Sequence, residues 1–157
     1  IDHIKAPLNK IKNLKKKLNK NSFYYHRVLK LQKKYIQLFW NLKKNRPKFD
    51  LYKLYPKNRL IISPSDFGFH NIFRISDNLF FLDFEHSGLD DMCKLICDFY
   101  FFPANNFNSD LKNHFKENLI DQFCNIDEIR LNYEIDIFLP FYKIKWETLI
   151  LNKQING

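Results

Sequence analysis

Apolar residues recur at Ile4, Leu8, Ile11, Leu14 and Leu18, in steps of four and three, with lysines between them. That spacing lays one apolar stripe along an amphipathic helix. Residues 19–21 break the pattern, and Ser22 is placed to cap a second helix. The second helix is expected to run to about Asn45, just before Pro47, and to bury Val28, Leu31, Tyr35, Leu38, Phe39 and Leu42. Residues 46–59, which include Pro56, carry no period and read as a connector. The period then shortens. "LIIS" (60–63), "NIFRI" (71–75) and "LFFLDF" (79–84) are β-branched or aromatic runs, and "SDN" (76–78) is a hairpin-turn signal. Asp90 or Asp91 can cap a helix through about Phe102, stopped by Pro103. Ser109 can cap another through about Asn125, with Leu111, Phe115, Leu119 and Phe123 on one side. Asp127 begins a further helical pattern, and Pro140 suits the first turn of a last helix.

The expected fold is therefore α+β and predominantly helical, in a single domain over residues 1–157. Two amphipathic helices fill 1–45, a loop and β-hairpin fill 60–84, and helices fill 90–157. A chain of this length can bury a real core. Trp40 and Trp146 read as core residues. The aromatic run "DFYFF" (98–102) reads as a buried helix face, with a cage for a quaternary ammonium as the rival.

Charge is unevenly spread. Residues 1–60 hold 18 Lys and Arg against Asp2 and Asp50, for +16, while residues 61–157 hold 8 against 15 acids, for −7. The run "KIKNLKKKLNK" could track a phosphate backbone, but its lysines interleave with a regular apolar stripe and no aromatic interleaving accompanies them. It reads as a solvated helix face, and the reading is against nucleic acid. No apolar run reaches a membrane span and no signal peptide opens the chain, so no membrane partner is expected. Cys93 and Cys97 stand at helical spacing and Cys124 stands alone, as expected of unpaired thiols in a reducing cytoplasm. The chain begins with Ile1 rather than methionine, which fits a fragment or a chain trimmed at its front end, with a natural remnant as the other reading.

The middle of the chain carries the candidate chemistry. Asp66 lies in a loop, Asn71 follows five residues on, and an apolar run leads into Asp83. Phosphoryl transfer needs a carboxylate to orient a hydroxyl and accept its proton, and hard oxygen ligands to hold Mg²⁺ on the nucleotide. Asp66 fits the base. Asn71 and Asp83 fit the metal, from opposite sides of a hairpin. Asp66 could instead be an ordinary turn residue and Asn71 its turn partner; the order, spacing and β context of the three together favour the site.

The stretch "DFGFHN" (66–71), the hairpin after it, and "DFEHSGLDDMCKLICDF" (83–99) resemble the catalytic core of the aminoglycoside phosphotransferase and choline kinase superfamily. That family carries HGDxxxxN, then a hairpin, then a strand ending in DxE or DWE. "FYKIKWETLILN" (141–152) is similar to the closing helix of some members. Two places depart. Pro64-Ser65 stand where the family has His-Gly, and Gly68 stands where it often has a histidine. The resemblance implies a helical, substrate-side C-terminal lobe of a kinase-like fold. ATP would be the co-substrate, Mg²⁺ the metal, and a hydroxyl of a sugar, amino alcohol or aminoglycoside-like molecule the acceptor. Asp66 would be catalytic, and Asn71 and Asp83 metal ligands. Glu85 would be a second metal or water contact or a lysine partner. His70 would face phosphate or serve the loop alone. Asp90 and Asp91 would cap a helix or touch substrate.

The family's N-terminal β-rich lobe, with its phosphate-covering loop and strand lysine, has no counterpart in residues 1–60. The chain alone is therefore expected to fold without turning over ATP. The face where that lobe, or a second copy of the chain, would pack is expected to be unusually apolar. The alternative is a non-catalytic binding module, either a pseudokinase remnant or a basic adaptor.

Overall fold

A computed structural model describes residues 3–45, 60–64, 68–85, 87–103, 107–123 and 126–156. In order these form α1 (Lys5–Lys16), α2 (Phe23–Lys44), β1 (Leu60–Ser63), a single 3-10 turn (Phe69–Asn71), β2 (Ile72–Ile75), β3 (Asn78–Phe81), β4 (Gly88–Asp91), α3 (Met92–Phe101), α4 (Ser109–Asp121) and α5 (Glu128–Asn156). The chain is mostly helical with a small two-sheet β part, an α+β composition. Its contacts divide it into two compact units, one of Ile1 with Tyr52–Ile135 and one of Asp2–Leu51 with Asp136–Gly157. The chain of α5 is shared between them. Among the described residues no helix is long and apolar enough to cross a membrane.

In the helical unit, α1 and α2 pack on each other as their stripes require. Ile4, Ile11, Leu14, Val28, Leu31 and Tyr35 are buried, and the Tyr35 hydroxyl donates to the Ile4 carbonyl at 2.8 Å. Leu38, Phe39 and Leu42 are half-buried, so the buried face of α2 thins toward its C-terminal end. Trp40 corrects the expectation of a core residue: it is 62% exposed and lies on the lysine side of the helix, with the Lys43 ammonium 5.8 Å from its ring. Ser22 caps α2, its hydroxyl accepting from the Tyr25 N–H at 3.1 Å. Ser22→Ala is expected to lower stability by about 1 kcal/mol, and Ser22→Asp to restore it, in thermal melts followed by circular dichroism.

The later part of α5 completes this unit. Phe138, Phe141, Tyr142, Ile144 and Leu151 are buried, and Phe138 stacks on His3 with centroids 4.4 Å apart. Asp127 does start this helix, its carboxylate accepting from the Arg130 N–H at 2.9 Å. Pro140, expected to open a last helix, lies well inside α5 instead. A mid-helix proline forfeits one backbone hydrogen bond and costs about 3 kcal/mol. The buried side chains on both sides of Pro140 offset that loss and carry one helix through it.

In the other unit β1 pairs antiparallel with β4, in the register Leu60↔Asp91, Ile61↔Asp90, Ile62↔Leu89 and Ser63↔Gly88. Ile61 and Ser63 are buried while Ile62 faces out, the alternation of a one-sided sheet. Strand β4 has no β-like sequence; pairing with β1 defines it. β2 pairs antiparallel with β3, Ile72↔Phe81 to Ile75↔Asn78, around a tight Ser76-Asp77 turn in which Ser76 has φ 55°. Met92, Cys93, Leu95, Ile96, Cys97, Phe99, Leu131 and Ile135 form the core. α4 buries none of its residues; Leu111 is exposed, and Phe115 and Leu119 are half-buried. Its cap is Asn108, not Ser109, because the Asn108 amide oxygen already accepts from the Leu111 N–H at 2.9 Å.

Candidate functional site

Asp66, the candidate base, lies outside the described residues. The residues around it define the frame. β1 ends at Ser63 opposite Gly88, where β4 begins, so residues 64 and 87 leave one end of that ladder together. The 3-10 turn Phe69–Asn71 leads straight into β2. Within it the Asn71 N–H donates to the Gly68 carbonyl at 2.9 Å. The Asn71 carbonyl accepts from the Leu82 N–H at 2.8 Å, continuing the β2–β3 ladder by one rung. That rung sets the backbone of Asn71 beside the residue that precedes Asp83.

Asp83 does not end a strand, as the sequence had suggested. β3 stops at Phe81, and Asp83 has φ 60°, in the left-handed region. This conformation costs a non-glycine residue of order 1 kcal/mol, and Asp bears it better than most. It turns the chain out of the hairpin and toward Phe84–Ser87, where the Ser87 N–H donates to the Phe84 carbonyl at 2.9 Å. Asp83 and Glu85 are both exposed. His70 is exposed too, and its ring stacks on Phe102 with centroids 5.5 Å apart and planes 9° apart.

Asp90 and Asp91 are buried. Asp91 caps α3, accepting from the Cys93 N–H at 3.2 Å. Asp90 accepts from the Asp91 N–H at 2.9 Å and pairs with Lys94, whose ammonium also lies 3.6 Å from Asp98. One lysine thus serves the carboxylates one turn before and one turn after it. On α5, buried Glu134 takes the Arg130 guanidinium at 2.7 Å. Both arrangements have i, i+4 spacing in the sequence; the burial that makes them structural did not follow from spacing. The "DFYFF" run supplies packing: Phe99 stacks between Phe107 and Phe115, at 4.8 and 3.7 Å. A cavity of about 510 Å³ lined by Phe107, Asn108, Asp110, Leu111 and His114 includes none of the candidate residues.

Cys93 and Cys97 are buried and free. Burial pushes the Cys93 thiol well above its usual range, helped by a hydrogen bond with Cys97 and by the nearby Asp91 and Glu134 carboxylates. A raised folded-state pKa leaves stability whole below the unfolded thiol's pKa, about 8.5, and drains it as pH rises beyond that. The native chain at pH 8 is expected to resist iodoacetamide at Cys93 and Cys97, and the urea-unfolded chain to react at both. Peptide mass spectrometry reads the difference.

Among the described residues no three His, Cys, Asp or Glu side chains gather as a metal site. Compared with known proteins, the chain matches no family model, no curated protein and no solved structure.

Proposed function

We propose that this chain is the substrate-side, C-terminal lobe of a small-molecule kinase of the aminoglycoside phosphotransferase and choline kinase type. The observation that carries the reading is the placement of Asn71 and Asp83. A backbone rung between Asn71 and Leu82 sets the Asn71 segment beside the one that leads into Asp83, and Asp83 holds a left-handed backbone there. Strain of that kind concentrates at functional sites. The order of loop and hairpin is that of the resemblance, while the expected strand end at Asp83 is replaced by a turn, and β1–β4 pairing brings the chain before the loop and the chain after the hairpin side by side.

The donor set suits Mg²⁺ carried on a nucleotide, because that ion takes one or two carboxylate or amide oxygens and keeps phosphate and water for the rest. Asn71 and Asp83 would hold it, and it would supply charge neutralisation on the phosphates. Asp66 would orient the acceptor hydroxyl and take its proton, and the phosphoryl group would pass from ATP to that oxygen. Asp90 and Asp91, buried and engaged in capping α3 and pairing with Lys94, serve the scaffold.

The hairpin supports the same reading. Its residues Phe73, Ile75, Leu79, Phe80 and Phe81 are 41–62% exposed, and Phe69, Leu82 and Phe84 beside it are about as open. Paired residues share a face, so Phe73, Phe80 and Ile75 lie on one side and Ile72, Phe81 and Leu79 on the other. Open apolar side chains on both faces of a two-stranded hairpin suit docking against another surface. A nucleotide-covering lobe, or a second copy of the chain, would cover it.

The test is calorimetric titration with ATP, with and without Mg²⁺, against the intact kinase of which this chain is the proposed lobe and its Asp83→Ala variant. Asp83→Ala is expected to lose Mg²⁺-dependent nucleotide affinity by at least about tenfold. Equal affinity in the two would remove Asp83 from the site.

The second reading, a basic adaptor, has its own support. Residues 3–45 contain 13 Lys and Arg and no acid, and Phe23 and Trp40 stand exposed among them. Tight, salt-sensitive binding to single-stranded nucleic acid, with no Mg²⁺–ATP binding, would favour it.

A further inference from the structure

Gly68 has φ −110° and ψ 150°, an extended backbone that any residue adopts. Its glycine identity is therefore a matter of space. A Cβ built there would lie 2.4 Å from the Phe102 ring and 2.5 Å from both Nδ1 and Cε1 of His70. No real Cβ tolerates such distances, so the His70 imidazole fills the volume that a side chain at position 68 would need. The ring is held there flat against Phe102, the residue that ends α3. The Gly68 carbonyl in turn takes the Asn71 N–H, and the Asn71 carbonyl takes the Leu82 N–H.

We propose that Gly68, His70 and Phe102 form a clamp that fixes the 3-10 turn and so positions Asn71 beside Asp83. His70 acts as a positioning residue through Phe102. The phosphotransferase reading supplies the clamp's purpose; its mechanics stand without that reading. Each part has one task. Gly68 clears the volume, His70 fills it, Phe102 anchors the ring to α3, and two backbone bonds carry the position across to the Asp83 segment. A neighbouring contact strengthens the attachment: Phe69 meets Phe107 edge-to-face at 4.9 Å, and Phe107 stacks on Phe99 of α3.

The test is a double-substitution cycle read by amide hydrogen exchange in NMR spectra of the full chain. Gly68→Ala should expel the ring, and His70→Ala should remove it. Each is expected to speed exchange at the Asn71 and Leu82 amides by about tenfold or more, while the amides of α1 and α2 are unchanged. The two changes together should do no more than the worse single one, because they break the same contact. His70→Phe, which keeps a flat ring, should restore slow exchange. Additive effects, unchanged exchange, or failure of His70→Phe to rescue would each overturn the clamp. His70→Ala only removes atoms from an exposed ring, so it keeps the cycle readable if Gly68→Ala does not fold. Mg²⁺–ATP titration on the same variants separates the two proposals. Absence of Mg²⁺–ATP binding even in the intact kinase of which this chain is the proposed lobe sinks the phosphotransferase reading and leaves the exchange result to decide the clamp. Wild-type-like Mg²⁺–ATP affinity in Gly68→Ala, where Asp83→Ala loses it, would overturn the positioning role of the clamp.

Discussion

Asp66→Asn is expected to lower phosphoryl transfer by about 10²–10⁴-fold in any preparation competent for ATP turnover. Asparagine keeps the size and hydrogen-bonding reach of aspartate but cannot accept the hydroxyl proton. The substitution should leave Mg²⁺–nucleotide affinity close to that of the wild type, since the proposed metal donors are Asn71 and Asp83. Asp83→Ala should show the reverse order, with affinity failing first. The measurement is ATP turnover against a panel of sugars and amino alcohols, paired with nucleotide titration. Turnover by Asp66→Asn within a few-fold of wild type would remove Asp66 from the role of base.

The largest effect on stability is expected from Phe138→Ala. Phe138 is 1% exposed and lies in the part of α5 that belongs to the helical unit. Its ring stacks on His3, whose Nδ1 lies 2.9 Å from the Tyr142 hydroxyl. Removing the ring leaves a cavity and strips one face from a buried imidazole. Phe→Ala changes in cores cost about 3–5 kcal/mol, against a total of about 5–15 kcal/mol for an ordinary domain. The midpoint should fall by roughly 6–20 °C, given about 2–4 °C per kcal/mol at this size. Phe138→Leu should recover more than half of the loss. A fall under about 1 kcal/mol would mean that the ring is not enclosed.

Much of the helical part was legible because local signals decide it. The stripe through Ile11 and Leu14 gave α1, and Ser22 and Asp127 began helices where expected. The hairpin was legible from its two apolar runs and the Ser-Asp-Asn turn. What failed depended on partners far along the chain. Gly88–Asp91 is a strand because β1 lies beside it, and no propensity of Gly-Leu-Asp-Asp suggests one. Pro140 sits inside a helix because buried neighbours outweigh its missing donor. Trp40 is apolar by composition yet faces the lysines. At the site, the order of Asp66, Asn71 and Asp83 could be read from spacing. The left-handed Asp83 and the exchange of space between Gly68 and His70 could not, since the first is a backbone conformation that spacing does not encode and the second depends on three-dimensional crowding.

The apolar hairpin and the acid-free helices α1 and α2 pull the solubility of this chain in opposite directions. With a net charge of +9, copies repel at low ionic strength. Added salt shortens the range of that repulsion to about 8 Å near 0.15 M, roughly the reach of a side chain, and the open Phe73 and Phe80 rings can then meet those of a neighbouring copy. Warming and sulfate strengthen contacts of this kind. The chain should therefore stay dispersed longest in cool buffer of low ionic strength, and cloud first on warming in ammonium sulfate.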